Sequence, residues 1–178
     1  MHIAIDAGHN SPPGDTGAVG LAVEDTLTKL LGRSVSKLFI AAGHAVTDCA
    51  YPHSSTPIES LTGRVEIANR SGADFYLALH FNKFLEDAQT TTDPMGAEVF
   101  VASQSGREIA DRVLDQIVLL GFKRRSVKDG GLYVLIHTNM TAILVESFFL
   151  DSVADMDLFK KIGIDKLAAA IVAGVLNT

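Results

Sequence analysis

The chain has no tryptophan and a single cysteine, Cys49. A lone cysteine cannot close an internal disulfide, so the fold rests on packing and hydrogen bonds and does not depend on an oxidising compartment. In its apolar-leaning stretch Cys49 reads as a small buried residue rather than a nucleophile. Apolar runs long enough to span a bilayer are missing, which excludes an ordinary transmembrane helix. The opening Met1-His2-Ile3-Ala4-Ile5-Asp6 places a charge too early for the core of an export signal. Synthesis in the cytoplasm without a signal peptide is therefore expected. Basic charge is also scarce: 15 Lys and Arg against 21 Asp and Glu give a net charge of -6, and a nucleic-acid binder needs clustered cations. The one basic run, Lys123-Arg124-Arg125, reads as a solvated loop after a helix. Internal repeats and low-complexity linkers are absent as well.

What the chain has is apolar material, 47% of its 178 residues, enough for the core of one domain. Met1 to Ala7 reads as a strand, followed by a loop from Gly8 to Gly20 rich in glycine and proline. From Glu24 to Ala42, Leu27, Leu30, Leu31, Val35, Leu38 and Phe39 recur at helical spacing, with Gly43 placed to stop the helix. His44 to Ala50 is the next strand. Ser55 and Thr56 before Pro57 make a helix start, with Ile58, Leu61, Val65 and Ala68 marking a buried face up to Gly72. Asp74 to Phe81 reads as a strand, Asn82 to Pro94 as a loop, Gly96 to Ala102 as a strand and Gly106 to Leu120 as a helix. Leu132 to Ile136 and Ala142 to Phe149 read as two further strands. Asp151 or Ser152 can cap a final helical region running to the C-terminus. This alternation predicts an α/β fold: one domain, a mostly parallel sheet, helices on both faces.

In such a sheet, functional groups collect where strands give way to loops at the carboxyl edge. His9 follows the first strand directly, beside a glycine that lets the backbone turn. His80 lies near the end of the Asp74–Phe81 strand, and Glu24 opens the first long helix, within loop reach of His9. Two histidines and a glutamate are a ligand set for catalytic zinc, which keeps a fourth position for water. Glu146 is a carboxylate inside the apolar strand Ala142-Ile143-Leu144-Val145-Glu146-Ser147-Phe148-Phe149, where burial without a partner is costly. It is expected to face a metal site or cleft, with a raised pKa suited to a general base and acid. Each residue also has an ordinary reading. A histidine at a strand end can simply be hydrogen-bonded, Glu24 can favour a helix N-terminus, and Glu146 can pair with an arginine such as Arg64. Asp6 is the candidate to hold His9 through its second ring nitrogen. His137, in Leu135-Ile136-His137-Thr138-Asn139, is either a plain loop residue or a rim contact; His44 and His53 read as loop residues.

An ordered series of segments then carries a family resemblance: Ile5-Asp6-Ala7-Gly8-His9, Gly20-Leu21-Ala22-Val23-Glu24, Arg64 with Ala68-Asn69, Ala73-Asp74 leading to Leu79-His80-Phe81-Asn82, Gly96-Ala97-Glu98-Val99, and Ala142-Ile143-Leu144-Val145-Glu146-Ser147. Over nearly its whole length the chain resembles the zinc N-acetylmuramoyl-L-alanine amidases of the amidase-3 type, which include catalytic domains of phage endolysins and bacterial autolysins. The resemblance implies a twisted, largely parallel six-stranded sheet. It also implies one zinc ion on His9, Glu24 and His80, Glu146 as the catalytic glutamate, and bacterial peptidoglycan as the substrate. The Thr-Arg pair that often follows the family's second strand has no counterpart in Thr47-Asp48-Cys49-Ala50-Tyr51. Competing expectations are another zinc peptidase or deacylase on the same scaffold, and a catalytically silent wall-binding module. His-Glu-x-x-His and His-x-x-Glu-His signatures are absent. Further expectations are a monomer with no nucleic-acid or membrane partner, no wall-binding domain in the chain, and release to the wall in the manner of a phage lysin.

Overall fold

Strands and helices alternate largely as the apolar periodicities require. The computed structural model describes residues 1–85 and 89–177. Residues 86–88, in the middle of the loop expected over Asn82 to Pro94, lie outside the described residues. The elements are β1 (His2–Ala7), α1 (Glu24–Ala41), β2 (Ala45–Asp48), α2 (Pro57–Ser71), β3 (Phe75–Asn82), β4 (Ala97–Val101), α3 (Gln104–Leu119), β5 (Arg124–Asp129), α4 (Tyr133–Ile136), β6 (Thr141–Phe149), α5 (Val153–Ile162) and α6 (Ile164–Leu176). Helix starts follow sequence logic. Thr56 accepts the Glu59 amide ahead of Pro57, and Ser152 accepts the Asp155 amide at the head of α5.

Several expectations are corrected or refined. Lys123-Arg124-Arg125 is not merely a loop: Arg124 opens β5, a polar edge strand paired with β4. Leu132 to Ile136 is not a strand but the single turn α4, in which the Leu132 carbonyl accepts the amides of Leu135 and Ile136. Val134 and Leu135 are both buried, and the backbone bonds of the segment are made within the turn. The final helical region is two helices, broken at Gly163, whose φ of 78° lies in the left-handed region. Ile58, expected on the buried face of the second helix, is exposed instead.

The sheet order is β2-β1-β3-β6-β4-β5, parallel throughout except for the antiparallel β4–β6 pair. It separates two apolar cores. The larger joins Ile3, Ile5, Leu77, Leu79, Val99, Ile143 and Val145 of the sheet to residues of α1, α3, α5 and α6, including Leu31, Val113, Met156 and Ile171. The smaller joins Ala4, Tyr76, Ala78, Ala142 and Leu144 to Val65 and Ala68 of α2 and Val134 and Leu135 of α4, and it contains Cys49. Asp6, His80, Glu98 and Glu146 share the strand parity of this second face, so these polar side chains lie on the thinly covered side of the sheet. Among the described residues no helix is long and apolar enough to cross a membrane.

Candidate metal centre and cleft

At the carboxyl end of β1 the chain turns through His9 and Asn10, both with left-handed φ, 61° and 64°. Such residues are strained unless the surroundings fix them. Here the Asn10 amide donates to the Gly8 carbonyl at 2.8 Å and to Thr28 Oγ1 at 2.8 Å, tying the turn to α1. Gly8 also has a steric role: a Cβ there would fall 2.1 Å from the His80 ring, so only glycine lets that imidazole lie across β1. Glu24, the first residue of α1, is buried and accepts the Ala18 amide on Oε2 (2.8 Å) and the Phe81 amide on Oε1 (3.1 Å). These bonds aim its carboxylate between the histidines, with His80 Nδ1 3.2 Å from Oε1 and His9 Nε2 3.5 Å from Oε2. The structure thus brings His9, Glu24 and His80 together, one ligand atom of each within 4.8 Å of the others. Two imidazoles and a carboxylate in this arrangement are chemically suited to hold a zinc ion. Burial works against an ionised Glu24, yet its contacts with His80, His9 and the Ala18 amide outweigh it and lower its pKa.

The partner of His9 is not Asp6. Asp15 Oδ1 lies 2.7 Å from His9 Nδ1, which leaves Nε2 facing Glu24. Asp6 instead receives Arg64 at 2.7 Å and the Tyr76 hydroxyl. The reason is parity: Asp6 points from β1 into the second core, where Arg64 is buried among Asp6, Asp15 and Ser60. Asp15 Oδ2 accepts Ser60 Oγ at 2.6 Å and Arg64 at 3.2 Å. Burial raises its pKa, but the bonds with His9 and Ser60 bring it down to about 2. Burial likewise opposes a charged His9, and the bond to Asp15 and the charge of Glu24 overcome it and raise its pKa. Asp15→Asn is expected to weaken zinc affinity by about 10- to 100-fold in a chelator competition. Asp6→Asn should instead lower stability in denaturant unfolding, by about 3 kcal/mol, because it breaks a buried ion pair. The reverse pattern would restore Asp6 as the partner of His9.

Glu146 stands beside His80 in the β3–β6 register and opposite Glu98 in the β4–β6 register. One of its carboxylate oxygens, Oε2, is buried without a hydrogen-bond partner. Burial, then the charges of Glu24 and Glu98, push its pKa up to about 8, partly offset by Lys128. Arg64 is engaged by Asp6 and Asp15, so the alternative pairing with Glu146 does not occur. His9, His80 and Glu146 open onto a cleft of about 360 Å³ whose walls include Leu61, Tyr133 and Leu144. His137 follows α4 and packs on Tyr133 with the rings tilted, their centres 4.1 Å apart, while His44 contacts the chain's N-terminal amine and His53 is exposed. Two residues of this site were missed by sequence reasoning. Asp15 carried a faint signal, a carboxylate inside a glycine-rich loop six residues after His9; Tyr133 carried none, because its segment reads as a strand.

A family model described as N-acetylmuramoyl-L-alanine amidase, of the amidase-3 type, matches residues 3–177. An uncharacterized 38.4 kDa protein of Clostridium perfringens is 31% identical over the whole chain. The N-acetylmuramoyl-L-alanine amidase LytC of Bacillus subtilis is 28% identical over 98% of the chain. The chain spans 52% of the first of these proteins and 35% of the second, about half and about a third of their lengths. Among solved structures, the catalytic domain of CD27L endolysin targeting Clostridia Difficile superposes with a TM-score of 0.88 at 33% identity, covering 100% of this chain and 98% of that one.

Proposed function

Because the chain belongs to the amidase-3 family of N-acetylmuramoyl-L-alanine amidases, we propose that it hydrolyses the amide between the lactyl group of N-acetylmuramic acid and L-alanine in bacterial peptidoglycan. The observation that carries this reading is the convergence of His9, Glu24 and His80, with Glu146, one of whose buried carboxylate oxygens has no hydrogen-bond partner, next to His80. Relatives named as a Bacillus amidase and as an endolysin of Bacillus phage SPP1 support action at the cell wall.

His9, Glu24 and His80 would hold one zinc ion, which when bound polarises a carbonyl and lowers the pKa of a water molecule. Asp15 fixes the His9 tautomer so that Nε2 keeps a lone pair for the site. Glu146 takes the proton of the attacking water on its carboxylate and returns it to the departing alanine nitrogen. A carboxyl whose pKa lies near 8 can move a proton in either direction near neutral pH. Leu61, Tyr133 and Leu144 form the apolar wall that limits water beside the reacting bond.

The test is release of amino groups from purified peptidoglycan. New N-termini on L-alanine are expected, lost with a chelator and regained with zinc. Amino groups on another residue would point to a zinc peptidase on this scaffold, reducing sugar ends would overturn the cleaved bond, and no release at all would favour a silent wall-binding module.

A further inference from the structure

The sheet beyond Glu146 is built differently from the half that carries the cleft. On the face of the second core, α2 and α4 cover β1, β3 and β6, whereas the helix packed on β4 and β5 is α3, on the opposite face. In place of a helix, two long cationic side chains lie over these strands. The Arg125 guanidinium sits 4.8 Å from the centre of the Phe149 ring, and Lys128 Nζ 5.4 Å from that of Phe100. Both rest on one carboxylate: Arg125 Nε and Lys128 Nζ each donate to Glu98 Oε2 at 2.7 Å, while Asn82 donates to Oε1 at 3.0 Å. Glu98 is the residue directly across from Glu146, so this cluster borders the row that ends in the cleft.

Two cations on one carboxylate leave a net positive charge with donors to spare. Lys128 has further N–H groups, and among the described residues the outer nitrogens of the guanidinium meet only a long contact to the Met95 carbonyl. The side chains remain 28% and 39% exposed. Around them the chain carries a net charge of -6, and the neighbouring cation Arg64 is already neutralised by Asp6 and Asp15. A substrate crossing Glu146 therefore meets an apolar wall on one side and a cationic ledge on the other.

We propose that Arg125 and Lys128 form an anion-binding subsite for a free carboxylate on the peptide arm of the substrate, on the residue that follows the L-alanine. The proposal rests on the amidase reading. The glycan arm offers no such group, because the lactyl carboxyl is consumed in the amide that is cut. The peptide arm does offer one where its second residue is a glutamate linked through the side chain, leaving the main-chain carboxyl free. Amidation of that carboxyl removes the charge and leaves the rest of the substrate unchanged.

The test uses two defined muropeptides that differ only in amidation at that carboxyl. Native protein is expected to favour the free acid in kcat/KM by about tenfold, the scale of one charge-assisted hydrogen bond. In Lys128→Met and in Arg125→Met the preference should fall towards one, mainly through KM, and Lys128→Arg should restore it. If the two cations serve only to hold Glu98 or to act on Glu146, both substrates slow in equal proportion and the preference survives, which overturns the subsite. Equal rates on both muropeptides with native protein overturn it as well, while the amidase reading stands. Hydrolysis of neither removes that reading and the subsite together. The ratio is read within each variant, so partial loss of folded protein cancels.

Discussion

Glu146→Gln is expected to lower kcat for amide hydrolysis about a thousandfold while the protein still folds and binds zinc. Glutamine matches glutamate in size but cannot take a proton from water, so the loss should appear in kcat. The burial that suits this carboxylate to the proposed role also makes its charge a liability for the fold. Its folded pKa, about 8, lies above the ordinary value of 4.5. The neutral form is the one that the folded state favours. Its stabilising contribution is complete below the unfolded pKa and is lost as pH rises through the folded one. Metal-free protein should therefore lose up to about 1.4 kcal/mol per pH unit across that window, and Glu146→Gln should flatten the slope. Denaturant unfolding from pH 5 to 9 in chelator reads this directly. Retained hydrolysis would remove Glu146 as the base, and an identical pH slope in both proteins would remove the charge-burial account.

Loss of the metal should have an effect of similar size. Glu24→Gln replaces a carboxylate that accepts the Ala18 and Phe81 amides and faces both imidazoles. The amide has half the acceptor capacity and no charge, so zinc affinity is expected to fall by more than about a hundredfold, beyond the usual cost of an outer hydrogen-bond partner. Activity at limiting zinc should fall with it and return only partly at high zinc. In native protein the affinity should also fall as pH drops through the raised pKa of His9, because the imidazole must give up its proton to bind a metal. Calorimetric zinc titration in buffers of different ionisation enthalpy would register that proton release. An affinity insensitive to both the substitution and pH would place the metal elsewhere.

Most of this architecture was legible because hydrophobic periodicity and local punctuation agreed. The α1 stripe, the Thr56–Pro57 start and the run that becomes β6 each announce their element, and a glutamate in the last of these calls for either an ion-pair partner or a cleft. β5 was illegible because Arg124-Arg125-Ser126-Val127-Lys128-Asp129 is polar, as an edge strand tends to be when it must not pair with another chain. α4 was misread because a five-residue apolar run fits a strand or a helical turn equally well, and tertiary packing decided. The Asp6 expectation failed for a related reason. Sequence proximity placed it near His9, while strand parity turned it towards Arg64 and Tyr76, and the left-handed turn at His9 and Asn10 delivered Asp15 instead.

The unequal cores on the two sides of the sheet bear on how such a protein can be improved or drift. Substitutions that lengthen its working life can accumulate around Leu31, Val113 and Ile171, screened from His80 and Glu146 by the full thickness of the sheet. The thin layer beneath Val65, Val134 and Leu144 has no such latitude, because it is at once the floor of the cleft and the packing around Arg64. Selection for heat resistance and selection for a new wall chemistry would therefore leave their marks on opposite faces of the same six strands.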